Sequence, residues 1–148
     1  MRGAALTTLA LDTGPWILWI EQSPAFLPIV GPIFREIEEG RATAVTSVMT
    51  VLEVLTGAMR RDDDVLVRRY ESLFTESAGV VVLDIDMDIA RRAAELRAKH
   101  DVRTADAIHL ATALAAGASA FVTTDRRLAR VQEIEVRVLR AASRVLKR

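Results

Sequence analysis

The chain has 148 residues, of which 51% are hydrophobic and 27% charged, and its formal net charge is zero. This is the size and composition of one globular domain, not of a disordered or fibrous protein. Zero net charge argues against binding to nucleic acid or membrane through global charge, and leaves room for a local basic strip beside an acidic pocket. The absence of cysteine excludes disulfides, a thiolate nucleophile and a cysteine zinc site, and fits a reducing cytoplasm. We expect one cytoplasmic domain over residues 1–148.

Short β-type runs alternate with helical patterns, which predicts an α/β fold with a mostly parallel sheet of about five strands. Asp12, Gly14 and Pro15 interrupt the apolar N-terminal stretch, so neither a signal peptide nor a membrane span is expected. The last predicted strand alternates apolar and charged residues and is expected at a sheet edge. The predicted strands are Leu6 to Leu11, Ala42 to Val45, Val80 to Leu83, Ala120 to Thr124 and Ile134 to Val138.

Helices are predicted between these strands. Gly14 permits a sharp turn after the first strand, and Pro15 suits the first position of a helix. Prolines and Gly31 break the next region, residues 24–32, before an acidic helix end near residues 36–40. The remaining predicted helices run from Ser47 to about Arg60, from the acidic cap Asp62 to Asp64 through Phe74, from Met87 to Lys99, and from a Thr104 cap to Gly117, with a frayed helix after Arg137 up to Arg148.

Four acids, Asp12, Glu53, Asp106 and Asp125, lie inside apolar runs or where an apolar element ends. Asp12 ends the first predicted strand and Asp125 follows the fourth. In neighbouring parallel strands, their carboxylates emerge at the edge where open α/β sheets bind ligands. Asp106 begins the last long helix, and Glu53 is the only charge between residues 48 and 59 of a helix whose apolar pattern predicts burial. An ionised carboxylate removed from water must be paired, neutralised or bound to a metal.

Clustered carboxylates are stabilised by a shared proton, by arginine or by a hard divalent cation such as Mg²⁺ or Mn²⁺. We favour the cation, because the only two lysines, Lys99 and Lys147, are not adjacent to the acids. Such a metal lowers the pKa of bound water and polarises a phosphoryl oxygen, which implies phosphodiester hydrolysis. The alternative is that the acids are unrelated: Asp125 and Asp106 as helix-start residues, and Glu53 paired with an arginine.

Four motifs containing these acids occur in order along the chain. Together they resemble the PIN domain over residues 6 to 139, and most of all the VapC-like toxins of type II toxin–antitoxin pairs. The motifs are Leu-Asp-Thr-Gly-Pro at Asp12, Thr-Ser-Val-Met-Thr-Val-Leu-Glu-Val-Leu-Thr-Gly at Glu53, Arg-Thr-Ala-Asp-Ala-Ile-His-Leu-Ala-Thr-Ala-Leu at Asp106 and Val-Thr-Thr-Asp at Asp125.

The resemblance implies a three-layer α/β/α sandwich and a metal-dependent endoribonuclease acting on structured RNAs of translation. It also implies a homodimer and a cognate antitoxin that covers the acidic groove. The implied catalytic and metal-binding residues are Asp12, Glu53, Asp106 and Asp125. Many relatives carry another acid two residues beyond the fourth, where this chain has Arg127, so we expect a single metal. Replacing Asp12 or Asp125 by asparagine is expected to abolish cleavage and to leave the fold intact or stabilised.

Hydroxyl and arginine side chains flank the acids. Thr13, Ser47 and Thr123 are candidates for contacts behind the metal ligands, Thr13 being the best, with ordinary capping as the alternative. The arginines could bind the RNA phosphate backbone, and the alternative is that they are ordinary surface charges in contact with solvent. They are Arg103, Arg126 and Arg127.

His109 follows Asp106 by three residues. A single histidine without a second one or a cysteine nearby is more often a satisfied interior residue, so we leave it out of catalysis. Trp16 and Trp19 are expected in the core or on a dimer face. Asp84, Asp86 and Asp88 mimic a calcium loop, but Ile89 occupies the position of its glycine, and helix-start acids explain them better.

Other functions remain open. A housekeeping RNA-processing or DNA-directed nuclease of the same fold is the nearest alternative, and a catalytically inactive binding module that keeps the acidic pocket is another. A phosphotransferase with an aspartate nucleophile is less favoured, because Gly14 stands where its second acid is expected. A phosphorylation receiver is also less favoured, since it requires a lysine at a strand end.

Overall fold

The computed structural model of the chain describes residues 6–141. Every strand pair is parallel, and the five strands form one sheet. The strands are β1 (Thr7–Leu11), β2 (Ala42–Ser47), β3 (Val80–Leu83), β4 (Ala120–Thr123) and β5 (Val136–Val138). The helices are α1 (Thr13–Ile20), α2 (Leu27–Glu38), α3 (Val48–Arg60), α4 (Asp64–Glu76), α5 (Met87–His100) and α6 (Thr104–Ala115), with a 3-10 helix at Arg126–Arg130.

The strand order is β3-β2-β1-β4-β5. The chain builds the sheet outward from β1 in one direction, and then returns to add β4 and β5 on the other side of β1. The order therefore reverses beside β1, and the crevice at the carboxyl end of such a reversal is the usual ligand site of an open α/β sheet. β5 lies at an edge, as its alternating sequence predicts.

Alternate residues of each inner strand belong to two separate hydrophobic cores. On β1, Leu9 and Leu11 join one core, and Ala10 joins the other. The first core contains residues of α1 to α4, including Trp16, whereas the second contains residues of α5 and α6, including Leu110. Helices thus cover both faces of the sheet, and the predicted three-layer α/β/α sandwich is confirmed.

The aromatic residues of the first core lie on α1, α2 and α4. Trp16 is fully buried and meets Phe34 and Phe74 edge-on, with ring centroids 5.3 and 5.1 Å apart. Trp19 stacks on Phe34 with centroids 5.0 Å apart. Edge and stacked pairs of this kind add to the stability that burial gives. The expectation of a core or dimer-face position is confirmed for Trp16 as a core residue, whereas Trp19 is partly buried and packs against that core.

The region predicted to be broken by prolines is instead the continuous helix α2. Pro28 lies in its first turn, where an amide hydrogen would have no partner anyway. Pro32 lies inside the helix and cannot donate to the carbonyl of Pro28. Burial of Val30, Phe34 and Ile37 on one side of α2 offsets that loss.

Element ends differ from the predictions by a few residues. β2 extends to Ser47, which also caps α3 by accepting a hydrogen bond from the Met49 amide. The N-cap of α6 is Arg103, which makes no side-chain capping bond, so Thr104 is the first helical residue and not the cap. Asp63 and Asp86 cap α4 and α5, which confirms the helix-start interpretation of those acids.

Residues 142–148, which include most of the predicted C-terminal frayed helix, lie outside the described residues. Within residues 6–141, no helix has the length and apolar character needed to cross a membrane.

Candidate functional site

Asp12 and Asp125 lie side by side at the carboxyl ends of β1 and β4. The Thr123 hydroxyl donates to Asp12 Oδ2 (2.6 Å) and accepts from the Asp125 amide (3.0 Å). The Asp12 amide in turn donates to the Val122 carbonyl (2.9 Å). Thr123 is fully buried, so its hydroxyl fixes both acids relative to the sheet. Its role behind metal ligands stays a prediction, and these are the contacts through which it would act.

Gly14 has a different role from the predicted one. It lies in the first turn of α1, and a Cβ atom there would stand 2.8 Å from the Thr124 hydroxyl oxygen. Contacts below about 3.0 Å force something to shift. The glycine therefore allows α1 to approach the end of β4, which brings Asp12 and Asp125 together. Close approach, not a sharp turn, explains the residue.

A first set of side chains, which we call the histidine group, comprises Asp12, Thr13, Glu53 and His109. Glu53 Oε1 accepts from the Thr13 hydroxyl (2.5 Å) and lies 2.9 Å from His109 Nε2. His109 Nε2 is also 3.3 Å from the Thr13 hydroxyl and 3.8 Å from Asp12 Oδ1. Asp12 Oδ1 accepts from the Thr13 amide (2.8 Å). Thr13 thus contacts both acids, as its position next to Asp12 suggested.

Two buried threonines extend the histidine group toward the sheet. Thr50 Oγ1 is 3.2 Å from Thr13 Oγ1 and 2.9 Å from Thr46 Oγ1, and Thr46 lies 3.0 Å from the Leu11 carbonyl oxygen. The arrangement links α1, β2 and α3 behind Glu53 through hydroxyl groups only. Ser47, the other predicted hydroxyl, caps α3, so the alternative interpretation explains its contact.

The two acids of the histidine group have pKa values displaced in opposite directions. Burial raises the pKa of Asp12, and nearby Asp106 raises it further, against the lowering effects of His109, the Thr123 hydroxyl and the Thr13 amide. The pKa of Glu53 is lowered, mainly by its hydrogen bond with His109 and then by that with Thr13. Of these two acids, Asp12 is therefore the one whose negative charge is less compensated.

A second set, the arginine group, comprises Arg103, Asp106, Asp125 and Arg127. Arg103 Nε donates to Asp106 Oδ2 (3.0 Å), and its Nη2 is 3.9 Å from Asp125 Oδ2. Arg127 binds Asp125 through two guanidinium nitrogens, Nε (3.0 Å) and Nη2 (2.8 Å). Its backbone amide also donates to Asp125, which caps the 3-10 helix.

The arginines that compensate this group are exposed. Their side chains are 69% (Arg103) and 66% (Arg127) accessible to solvent. The Arg127 hydrogen bond lowers the pKa of Asp125, and the charge of Arg103 adds to that effect. Exposed ion pairs are weak, about 0.2–1 kcal/mol in general, so these contacts can be exchanged for others.

The four predicted acids converge only in part. Asp12 and Glu53 share one set of partners and Asp106 and Asp125 another, with the Arg103 guanidinium between the second pair. Within residues 6–141, no three of the Asp, Glu, His and Cys side chains form a group that could hold a metal ion. The common metal site therefore stays a prediction.

The donor set nevertheless fits a hard divalent cation. All four acids offer carboxylate oxygen, the ligand that Mg²⁺ and Mn²⁺ prefer. The Asp12 side chain is only 13% exposed, its pKa is raised, and Asp106 is near enough to contribute to that rise. A cation shared by Asp12 and Asp106 would remove this cost, while Asp125 would first have to leave Arg127.

His109 is the site residue that the sequence interpretation missed. It is buried, as expected of an interior histidine, but its Nε2 faces two of the acids. A helical spacing of three places Asp106 and His109 near one face of α6, which was the available signal. Arg126, the third predicted phosphate-binding arginine, is exposed and makes no side-chain hydrogen bond within the described part of the chain.

Fold and site together define an α/β/α domain with an acidic site where the strand order of a parallel sheet reverses. The family model of the PIN domain matches residues 9–134. The chain belongs to the PIN domain family, which confirms the resemblance seen in the four motifs. No curated protein sequence gives a significant match.

Solved structures with the same fold include toxin–antitoxin proteins. VapBC2 from Rickettsia felis, bound to a DNA fragment from its promoter, is 14% identical with a TM-score of 0.73, over 90% of this chain and 100% of that one. DNA-bound VapBC from Salmonella typhimurium is 20% identical with a TM-score of 0.71, over 90% and 98%. VapC20 from Mycobacterium tuberculosis, a sarcin–ricin loop cleaving toxin, is 19% identical with a TM-score of 0.63, over 76% and 86%.

Proposed function

We propose that the chain is a metal-dependent endoribonuclease that cleaves structured RNA in the cytoplasm, as the toxin of a type II toxin–antitoxin pair. The observation that carries this proposal is the position of Asp12: a largely enclosed acid, 13% exposed and with a raised pKa, at the carboxyl end of β1, beside Asp106 and Asp125. The family and the similar VapC structures support the same class of function.

Asp12, Asp106, Asp125 and Glu53 would hold Mg²⁺ or Mn²⁺. When bound, the metal supplies an activated water and polarises a phosphoryl oxygen. The protein's own contribution is to fix the acids. Thr123 holds Asp12 and Asp125, and Thr13 holds Glu53. Arg127 occupies the place of a further acid of many relatives, which supports binding of one metal only.

Arg103, Arg126 and Arg127 are the proposed contacts to RNA phosphate. All three are exposed next to the acids, and guanidinium groups bind phosphate oxygens in pairs. Arg103 and Arg127 are held by Asp106 and Asp125 in this structure. A metal at those acids would release them for the phosphate, so that RNA and metal binding would assist each other.

The antitoxin and the homodimer are also part of this proposal. Several similar structures are complexes of two proteins, such as a toxin–antitoxin complex from Klebsiella pneumoniae. Exposed apolar side chains on α3, Leu52 and Met59, and Val65 on α4 offer surface for such partners. Co-expression with the product of a small adjacent gene, followed by co-purification, would test the antitoxin.

A cleavage assay tests the central claim. The purified protein is incubated with a structured RNA in the presence of Mg²⁺ or Mn²⁺, with and without a chelator, beside Asp106→Asn. We expect cleavage that the chelator and the variant both abolish. Growth arrest on expression, relieved by the same substitution, would separate a toxin from a housekeeping nuclease.

An inactive binding module is the second candidate, and one observation favours it. Arg103 and Arg127 occupy Asp106 and Asp125, as expected if these acids no longer bind metal. This alternative predicts RNA or protein binding without chelator-sensitive cleavage. The absence of such cleavage from the wild-type protein would favour it over the nuclease.

A further inference from the structure

His109 joins three helices at the centre of the site. It lies on α6, and its Nε2 contacts Thr13 of α1 and Glu53 of α3. Its side chain is only 3% exposed, so RNA cannot reach the imidazole without rearrangement of the site. A role for His109 must therefore act through the side chains that it touches.

The contacts of the His109 imidazole indicate which of its two nitrogens carries the proton. His109 Nδ1 is buried and has no hydrogen-bond partner. A proton on Nδ1 would leave an unpaired N–H in the interior, which costs about 1–3 kcal/mol. With the proton on Nε2, the unpaired Nδ1 is an acceptor without a buried N–H, and Nε2 can donate to Glu53 Oε1, 2.9 Å away.

Glu53 is held at one oxygen only. Oε1 accepts from the Thr13 hydroxyl and from His109, whereas Oε2 makes no hydrogen bond with the described residues. The side chain is 34% exposed, and a glutamate on a helix has several rotamers to lose. Two donors on Oε1 select one orientation and leave Oε2 available to a ligand.

We propose that His109 is a positioning residue that fixes Glu53 for metal binding. The inference rests on the proposed function, because it gives Glu53 its role as a metal ligand. It adds a residue that has no place among the four acids, and it explains why a buried histidine lies between two of them. Groups that orient metal ligands in this way are worth about 10- to 100-fold in metal affinity or activity.

Two substitutions separate the hydrogen bond from the volume of the ring. In His109→Gln the amide nitrogen lies near the position of Nε2 and can still donate to Glu53. His109→Leu fills the space without a donor. Mn²⁺ affinity is measured by calorimetry on the full chain, with the melting temperature of the metal-free protein as the control for folding.

We expect His109→Gln to bind Mn²⁺ within about threefold of the wild type, and His109→Leu to bind it at least about tenfold more weakly. His109→Asn, whose amide is too short to reach Glu53, replaces the leucine variant if that one does not fold. His100→Gln is the matched control, since the side chain of the other histidine contacts Glu133 and none of the four acids, and it should change nothing.

A double-mutant cycle tests whether His109 acts through Glu53. In a Glu53→Ala background, His109→Leu should cause no further loss of Mn²⁺ affinity, because the side chain that it positions is gone. An equal loss in both backgrounds would overturn the inference and leave His109 as a structural residue. Equal affinity of His109→Leu and the wild type would also overturn it.

These measurements distinguish failure of the proposed function from failure of the positioning role of His109. If the wild-type protein neither binds Mn²⁺ nor cleaves RNA, the nuclease assignment fails and this inference fails with it. If the wild type binds Mn²⁺ and His109→Leu binds it equally well, only the positioning role is lost.

Discussion

The histidine group and the arginine group contain the same kind of acid but compensate its charge differently. Glu53 and Asp12 depend on the part-buried Thr13 hydroxyl, on the fully buried Thr123 hydroxyl and on an imidazole that is 3% exposed. Asp106 and Asp125 depend on two guanidinium groups that are more than 60% exposed, at 69% and 66%. Packing fixes the first set of partners, whereas solvent competes with the second at all times.

The difference separates a permanent part of the site from an exchangeable one. Buried hydrogen bonds to charged groups are costly to break, because the groups left behind have no water to replace the lost partner. Exposed arginines can turn toward solvent or toward a phosphate at little cost. We expect substitutions in the histidine group to affect the geometry of the acids, and substitutions of the two arginines to affect the affinity for cations.

The largest expected effect is on catalysis. Asp12→Asn and Asp106→Asn, one from each group, should both lower RNA cleavage by more than about 100-fold, since groups behind a metal ligand are already worth about 10- to 100-fold. Single-turnover rates with excess protein measure this loss. Asp84→Asn, an exposed acid before α5, is the matched control and should cleave normally. Substantial activity in Asp12→Asn alone would remove the histidine group from the active site.

A smaller effect is expected where the two groups meet. Gly14→Ala places a methyl group 2.8 Å from the Thr124 hydroxyl oxygen, the end of an exposed side chain that must turn away, so the loss should be at most about 1 kcal/mol, the low end of what overpacking costs. Gly57→Ala, on an open face of α3 with no atom within 4 Å, should instead gain up to about 1 kcal/mol in helix propensity. Chemical denaturation measures both. Equal stabilisation of the two variants would mean that a methyl group fits between α1 and the end of β4 without strain.

The third prediction concerns Asp12 and Asp125, whose replacement by asparagine should change the stability of the fold in opposite directions. The raised pKa of Asp12 means that the folded state holds its proton more tightly than the unfolded state does. Ionisation of Asp12 therefore destabilises the fold as the pH rises from about 4 through the folded pKa. Asp12→Asn should therefore raise the melting temperature of the metal-free protein at neutral pH, by about 2–4 °C for each kcal/mol recovered. The gain should vanish below about pH 4.

Asp125→Asn should behave in the opposite way. The lowered pKa of Asp125 stabilises the fold above the unfolded pKa, and this stability is lost as the pH falls through the folded pKa. The variant should melt slightly lower than the wild type at neutral pH, by less than Asp12→Asn gains, because Arg127 is exposed. This replaces the sequence-based expectation that Asp125→Asn leaves the fold equally or more stable. A rise in both variants would show that repulsion dominates the whole site.

The smallest expected effect concerns Arg127 and Mn²⁺ affinity. Arg127→Gln should bind Mn²⁺ about two- to fivefold more tightly, the range that an exposed ion pair is worth. Arg126→Gln removes the same charge one residue away, and Arg127→Lys keeps the charge without the two-point contact. If the arginine competes with the metal, Arg127→Lys should lie between the wild type and Arg127→Gln, and Arg126→Gln should match the wild type. Equal gains in Mn²⁺ affinity for Arg127→Gln and Arg126→Gln would indicate that loss of any positive charge near the acids strengthens binding, without direct competition by Arg127.

Much of the fold could be predicted from the sequence, because its signals are local. The β-branched run at Val80–Leu83 and the Gly117 helix end match the structure. α2 could not be predicted in the same way. Its prolines oppose a helix locally, and only the burial of Val30, Phe34 and Ile37 against the first core overrides them.

The acids could be found from the sequence, but their partners could not. Asp12 and Asp125 follow apolar strands, and parallel strands end at one edge, so their proximity follows from the pattern alone. The contact of His109 with Glu53 joins residues 56 positions apart, and that of Thr123 with Asp12 joins residues 111 apart. No local pattern encodes such pairs.

The sequence by itself determined the parallel α/β class and, through its four motifs, the PIN family, and it proposed the four acids, since hydrophobic period, turn residues and short motifs are properties of neighbouring residues. Only the tertiary structure decided how each acid is compensated: by imidazole and hydroxyl groups in the interior, or by guanidinium groups at the surface. The physical reason is that the state of a carboxylate depends on the few ångströms around it, and those are filled by side chains from distant parts of the chain.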